Sequence, residues 1–170
     1  LKLMGLCPIT DIDLETLLKK LRAKLIMSIN DNISFPDLLT FQSALALQCF
    51  INEYLYDKSI DEDKALRLLE ESVKLDISNN RQPSPQKILS LASYKPLKEY
   101  EWSNSLLVTD EIKEVVTRQI IEPEREIKIR QSLPLLYNIT NEVSLKVKNQ
   151  YEVSPYPRWV HLRLRSKSVS

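Results

Sequence analysis

The chain of 170 residues carries 24 basic and 23 acidic side chains, a formal net charge of +1, so it has no overall field to draw in nucleic acid, anionic lipid or acidic substrates. Hydrophobic residues at 43% and charged residues at 28% lie close to the averages of soluble globular chains and exclude a disordered or membrane-spanning composition, while the length sets one core as the default. Gly5 is the single glycine, and loops that cradle a phosphate or a dinucleotide need two or three for positive φ and close backbone approach, so the chain carries no such loop.

Residues 1–10 show no period and form an N-terminal strip. From Asp11 to Asn30, Leu14, Leu17, Leu18, Leu21, Leu25 and Ile29 recur at helical spacing, with Lys19, Lys20, Arg22 and Lys24 mostly on the other side. The pattern predicts an amphipathic helix capped by Asp11 or Asp13. The stretch SFPDLLTFQSALALQCFINEYLY, residues 34–56, is apolar nearly all round. Pro36 suits a first helical turn, and a helix without a polar face belongs at the centre of a bundle. Ser59 and Glu62 form a capping box that opens a helix through Ala65, Leu66, Leu69, Val73 and Ile77. Ser84 and Pro85 read as cap and first position of a shorter helix, Gln86 to Tyr94, that ends before Pro96.

The segment LKEYEWSNSLL, from Leu97, has no period, yet Tyr100, Trp102 and the leucines are costly to leave in water, which predicts an ordered loop. Thr109 or Asp110 caps a helix carrying Ile112, Val115, Val116 and Ile120. Pro123 is expected to stop that helix and to start another, where Glu124 with Lys128 and Glu126 with Arg130 form supportive i,i+4 pairs. A last helix from about Thr140 to Glu152 lines up Val143, Val147 and Tyr151 at four-residue steps. The one alternating stretch, WVHLRLR at residues 159–165, has no strand to pair with. The expectation is an all-α fold, an irregular bundle of six or seven helices over residues 11–153 followed by an extended Pro/aromatic segment at 154–170.

Candidate chemistry is sparse. His161 is the only histidine, so a metal site or a nucleophile–histidine dyad would have to use it, and no cysteine lies near it in sequence. Asp61, Glu62, Asp63, Glu70, Glu71, Glu122, Glu124 and Glu126 sit beside lysines and arginines on predicted polar faces and read as solvated surface. Cys49 in its apolar helix reads as a small buried hydrophobe, and Cys7 and Cys49, far apart, argue for a reducing, cytoplasmic compartment. No apolar run reaches the roughly 20 residues that span a bilayer, and no basic-then-apolar leader opens the chain. Arg158, Arg163, Arg165 and Lys167 could meet phosphates while Tyr156 and Trp159 stack, but one short tail falls well short of a nucleic-acid footprint. No catalytic group, cofactor site or metal site is assigned to these residues.

Two stretches resemble known architecture. KALRLLEESVKLDISNN, from Lys64, is similar to the second helix and exit turn of a tetratricopeptide unit, although the expected glycine is missing, no second copy follows, and a generic helical hairpin accounts for the same residues. NQYEVSPYPRW, residues 149–159, together with LALQCFINEYLY, residues 45–56, resembles a helical region found in large bacterial proteins just ahead of a class I S-adenosylmethionine-dependent methyltransferase domain, often with tetratricopeptide repeats upstream.

That resemblance implies a non-catalytic accessory domain, a catalytic domain that begins after Ser170, and S-adenosylmethionine bound by that downstream domain in cis. Pro155 and Pro157 impose an extended path, and Tyr151, Tyr156, Arg158 and Trp159 supply rings and a guanidinium to dock it, so these six residues are the expected interdomain or partner contact. The alternative is a freestanding tetratricopeptide-like module that captures a protein or peptide on a concave face lined by Gln42, Gln48 and Asn52.

Overall fold

Asp11 starts the first helix by accepting the Leu14 N–H on its side chain at 2.9 Å, which satisfies one of the donors a helix start leaves open. In the computed structural model, which describes residues 1–31, 35–134 and 141–153, this helix α1 runs Ile12–Met27. The N-terminal strip ahead of it is ordered as a 3-10 turn, Lys2–Gly5. The amide of Gln48 holds it: in the orientation that satisfies its neighbours it donates to the Met4 carbonyl at 3.0 Å and the Cys7 carbonyl at 3.2 Å, and accepts the Ile9 N–H at 3.0 Å.

Helix α2 (Pro36–Ile51) begins on Pro36, as its fixed φ favours. Every residue from Ala44 to Ile51 is buried, so the helix without a polar face is central. It is shorter than its apolar run predicts. After Asn52 the chain turns through Glu53 and Tyr54 at φ 58° and 57°, and the Tyr54 N–H returns to the Cys49 carbonyl at 2.8 Å. Left-handed backbone at a residue with a Cβ costs roughly 1–2 kcal/mol, offset here where Tyr54 sets its ring edge-on to Phe50 at 6.4 Å and its hydroxyl on the Ala92 carbonyl at 3.3 Å.

Helix α3 (Ile60–Ser78) opens on the complete capping box, Ser59 Oγ accepting the Glu62 N–H at 3.1 Å and Glu62 Oε2 accepting the Ser59 N–H at 2.9 Å. Helix α4 (Pro85–Ala92) follows. The aperiodic stretch after it is ordered through two 3-10 turns, Leu97–Glu99 and Ser103–Ser105. Buried Tyr100 and Trp102 stack there at 4.6 Å, and the Lys95 ammonium lies 3.9 Å from the Tyr100 ring centre.

The next helix corrects two expectations. It starts at Lys113 rather than at a Thr109 or Asp110 cap, and it does not stop at Pro123. Helix α5 is continuous through an α-helical turn Lys113–Val116, a π-helical turn Thr117–Ile121 and an α-helix Glu122–Ser132. A proline in a helix lacks its N–H and collides with the carbonyl four residues back. Here the Glu122 N–H reaches five residues back to Thr117, so the backbone is already widened by one residue when Pro123 arrives.

The π turn also presents Gln119 inward, fully buried. Its Oε1 accepts the Leu97 N–H at 3.0 Å, and its Nε2 donates to the Ala92 carbonyl at 3.1 Å and the Ala46 carbonyl at 3.3 Å. One side chain thereby satisfies the end of α4 and the start of the ordered loop, and fixes both on α2. The main core gathers Leu66, Leu69 and Val73 of α3, Ile88, Leu89 and Leu91 of α4, Leu97, Tyr100 and Trp102 of the loop, and Val115, Val116 and Ile120 of α5. A second cluster, Met4, Leu18, Ala44, Leu45 and Cys49, sits under the N-terminal turn.

The chain is all-α, with no strand among the described residues. WVHLRLR and the segment 154–170 lie outside them. Packing groups Leu1–Lys128 as one compact unit and Ile129–Ser170 as another, where the sequence set 1–10 apart and closed the helical domain at 153. In the second unit, Asn141 Oδ1 accepts the N–H groups of Val143 and Ser144 at 3.0 and 3.1 Å and starts helix α6 (Glu142–Val153). Replacing Gln119 by Leu keeps the volume but leaves the buried Leu97 N–H without its acceptor and the Ala92 carbonyl with the Tyr54 hydroxyl alone. Urea unfolding of Gln119→Leu is expected to show a loss of about 2–4 kcal/mol at an unchanged slope, and an unchanged midpoint would refute the amide's role.

Candidate functional site

Helical spacing places Arg22 with the lysines on the polar side of α1 and Glu62 on a solvated face of α3. The structure buries both, at 2% and 3% exposure. Arg22 Nη2 donates to the Asp57 carbonyl at 2.8 Å and the Tyr56 carbonyl at 3.3 Å, and lies 3.4 Å from Glu62 Oε1. Its guanidinium covers the Tyr94 ring at 4.2 Å, and the Tyr94 hydroxyl donates to the same Glu62 oxygen at 2.8 Å. The capping box is the physical reason: to reach the Ser59 N–H, the Glu62 carboxylate folds back over the helix start, which here faces inward.

Burial alone would push the Glu62 carboxyl up, but the Ser59 N–H and hydroxyl, the Tyr94 hydroxyl and Arg22 outweigh it and hold the group below its ordinary value. Burial and the Glu62 carboxylate together push the Tyr94 hydroxyl far up, so it stays a donor. Cys49, fully buried as its sequence context predicts, has its thiol pushed up by burial to about 12, against the lowering effect of Arg22. A group so far from thiolate at neutral pH is a packing element rather than a nucleophile.

The concave face expected from Gln42, Gln48 and Asn52 does not form, because all three are buried. Gln48 clasps the N-terminal strip, Asn52 closes α2, and Gln42 lies beside Leu45, Leu89 and Ser90 in the interior. The helix pair of a tetratricopeptide hairpin is also not the dominant packing, since α2 lies chiefly against α4 and the N-terminal turn while α3 lies against α1 and α4.

What the Leu1–Lys128 unit does present is a groove of about 390 Å³ between α1 and α2. Leu21 and Leu25 of α1 face Leu38 and Phe41 of α2 across it, Gln86 of α4 joins the lining, and Phe35, Lys24 and Ser28 complete the wall. Phe35 is 51% exposed. The volume lies within the range of small-molecule clefts, and the mostly apolar lining with a few polar groups is their usual chemistry. The sequence signal was present but ambiguous: Leu21 and Leu25 belong to the apolar stripe of α1, which by pattern alone is indistinguishable from core.

Of the six residues expected to contact a partner, Tyr151 is on α6 and 59% exposed. Pro155, Tyr156, Pro157, Arg158 and Trp159 lie outside the described residues, as does His161. Val143 and Val147 share the Tyr151 face of α6 at four-residue steps and are 69% and 47% exposed. No helix among the described residues is long and apolar enough to cross a membrane.

A scan against protein-family models, a search of curated proteins and a search of solved structures each return no match for this chain.

Because the folded Glu62 carboxyl lies below its ordinary value near 4.5, its stabilisation is present above that pH and is lost as pH falls through the folded value. Glu62→Gln leaves the Arg22 charge buried without its counterion and is expected to cost about 3 kcal/mol at neutral pH. Urea midpoints of the two proteins should converge in acid. A gap that stays constant as pH falls would show that the carboxylate charge contributes nothing.

Proposed function

We propose that this chain is a non-catalytic helical accessory domain of a bacterial S-adenosylmethionine-dependent methyltransferase, which positions a downstream catalytic domain or its substrate. The observation that carries the reading is the bare stripe of α6: Val143, Val147 and Tyr151, all exposed on one face, run directly into the Pro155 to Trp159 string. An apolar helix face of this kind is stabilised when another surface covers it. The strings at residues 45–56 and 149–159 supply the methyltransferase context. The acceptor would be methylated by the catalytic domain, and the cofactor would bind there.

A second reading, a freestanding module that binds a protein or peptide, is favoured by the apolar groove between α1 and α2. The reading frame past Ser170 separates the two. An apolar strand entering a glycine-rich turn, with an acidic residue about 20 positions later, is the expected result. In that longer protein, Trp159→Ala and Tyr151→Ala should lower methyl transfer without weakening cofactor binding, as measured by calorimetry. A stop codon directly after Ser170 would overturn the accessory-domain reading and leave the module.

A further inference from the structure

The groove between α1 and α2 combines three features that together define a ligand chemistry. One wall is a continuous stripe, Leu21, Lys24 and Leu25 of α1 with Ser28 at its C-terminal cap, at spacings of three and four residues, about 10 Å along the helix axis. An extended aliphatic chain of about eight carbons, with C–C bonds of about 1.5 Å in zigzag, has that length. The opposite wall, Leu38 and Phe41 with Phe35 at half exposure, is apolar. A chain laid here meets hydrocarbon on both sides.

The third feature is charge. Lys19, Lys58, Lys64, Lys74, Lys87 and Lys95 each pair with a carboxylate. Lys24, which lines the groove, pairs with none among the described residues, as is also true of Lys2, Lys20, Lys98, Lys113, Lys128 and Lys146, and the nearest acidic groups in sequence on α2 and its approach, Asp31 and Asp37, do not line the groove. The Ser28 hydroxyl is already donated to the Lys24 carbonyl at 2.9 Å, so it closes the wall without adding a free donor. The groove therefore has in its lining one cation without an ion pair among the described residues, beside an apolar trough.

We infer that this groove is a binding site for a medium-chain aliphatic monocarboxylate, with its tail between Leu21, Leu25, Leu38 and Phe41 and its carboxylate on the Lys24 ammonium. The two halves of the ligand are recognised by different physics. The tail provides burial of apolar surface, and the charged contact orients the ligand and selects its sign. Neither the tail nor the head alone fills the site.

The test is calorimetric titration of the full chain with sodium decanoate below its micelle concentration, beside decanol, decyltrimethylammonium and acetate. Decanoate is expected to give a saturable one-to-one isotherm, decanol to bind about fivefold more weakly, the size of an exposed charge contact, and the cation and acetate not to bind measurably. Lys24→Gln should weaken decanoate to the level of decanol, while Lys20→Gln, on the same helix and outside the groove, should leave it unchanged. Ser28→Trp should fill the trough and abolish binding with the helical circular dichroism intact. If Ser28→Trp unfolds, the Lys24→Gln comparison still decides. Equal affinity for decanoate, decanol and the cation, or a Lys24→Gln variant that binds like the parent, would overturn the assignment by showing an unselective apolar surface. The absence of any saturable isotherm would overturn it outright.

Discussion

A guanidinium taken out of water must be neutralised where it lies, and in this protein that requirement falls on Arg22. The side chain reaches from α1 to the carbonyls of Tyr56 and Asp57 on the link into α3, to Glu62 in the first turn of α3, and across the face of Tyr94 just past α4. Three stretches far apart in sequence, around residues 22, 56–62 and 94, thus share one charge pair. A buried ion pair is weak evidence for net stability, because desolvation offsets most of its Coulomb energy, but leaving either member alone is expensive. Alternative packings of α1 on α3 that separate the two charges are therefore penalised, and the pair acts on register more than on total stability.

Gln119 performs the neutral counterpart of this. Its amide meets α2, the end of α4 and the loop that follows, and it does so from a π turn whose extra residue also accommodates Pro123. Gln48 does the same for the N-terminal strip. Polar side chains in these positions satisfy backbone groups that the short helices and turns leave open, which suits a chain with one glycine and few regular turns. The strained left-handed pair Glu53 and Tyr54 belongs to the same pattern, an abrupt helix end made without glycine and held by side-chain contacts.

The consequence for function is a division of surfaces. The interior of the Leu1–Lys128 unit is committed to holding helices together; that unit also carries the groove lined by Lys24, and the other unit carries the exposed Val143, Val147 and Tyr151 of α6. A groove with hydrocarbon walls and a lysine in its lining suits the small amphiphile proposed for it. A helix face with valines and a tyrosine suits the protein surface proposed to cover it. The two chemistries are different, and a single chain can carry both.

Local rules were enough to read the helices from the amino-acid sequence. The Asp11 cap, the Ser59 and Glu62 capping box, Pro36 and Pro85 at first positions, and the all-apolar face of α2 each act within one or two turns, so their outcome does not depend on the rest of the chain. The all-α class and the ordered loop around Tyr100 and Trp102 follow from the same short-range arguments. What periodicity could not reach was the fate of long polar side chains. Arg22 and Glu62 sit at spacings that read as surface, and only the approach of Tyr94 and the 56–57 backbone turns them inward. Pro123 reads as a stop, and only the tertiary demand for Gln119 at the core explains a π turn that carries the helix past it. The groove, likewise, is made of residues that pattern marks as core; whether two apolar faces close on each other or leave space between them is decided by how helices pack, a property of pairs of segments that no single segment encodes.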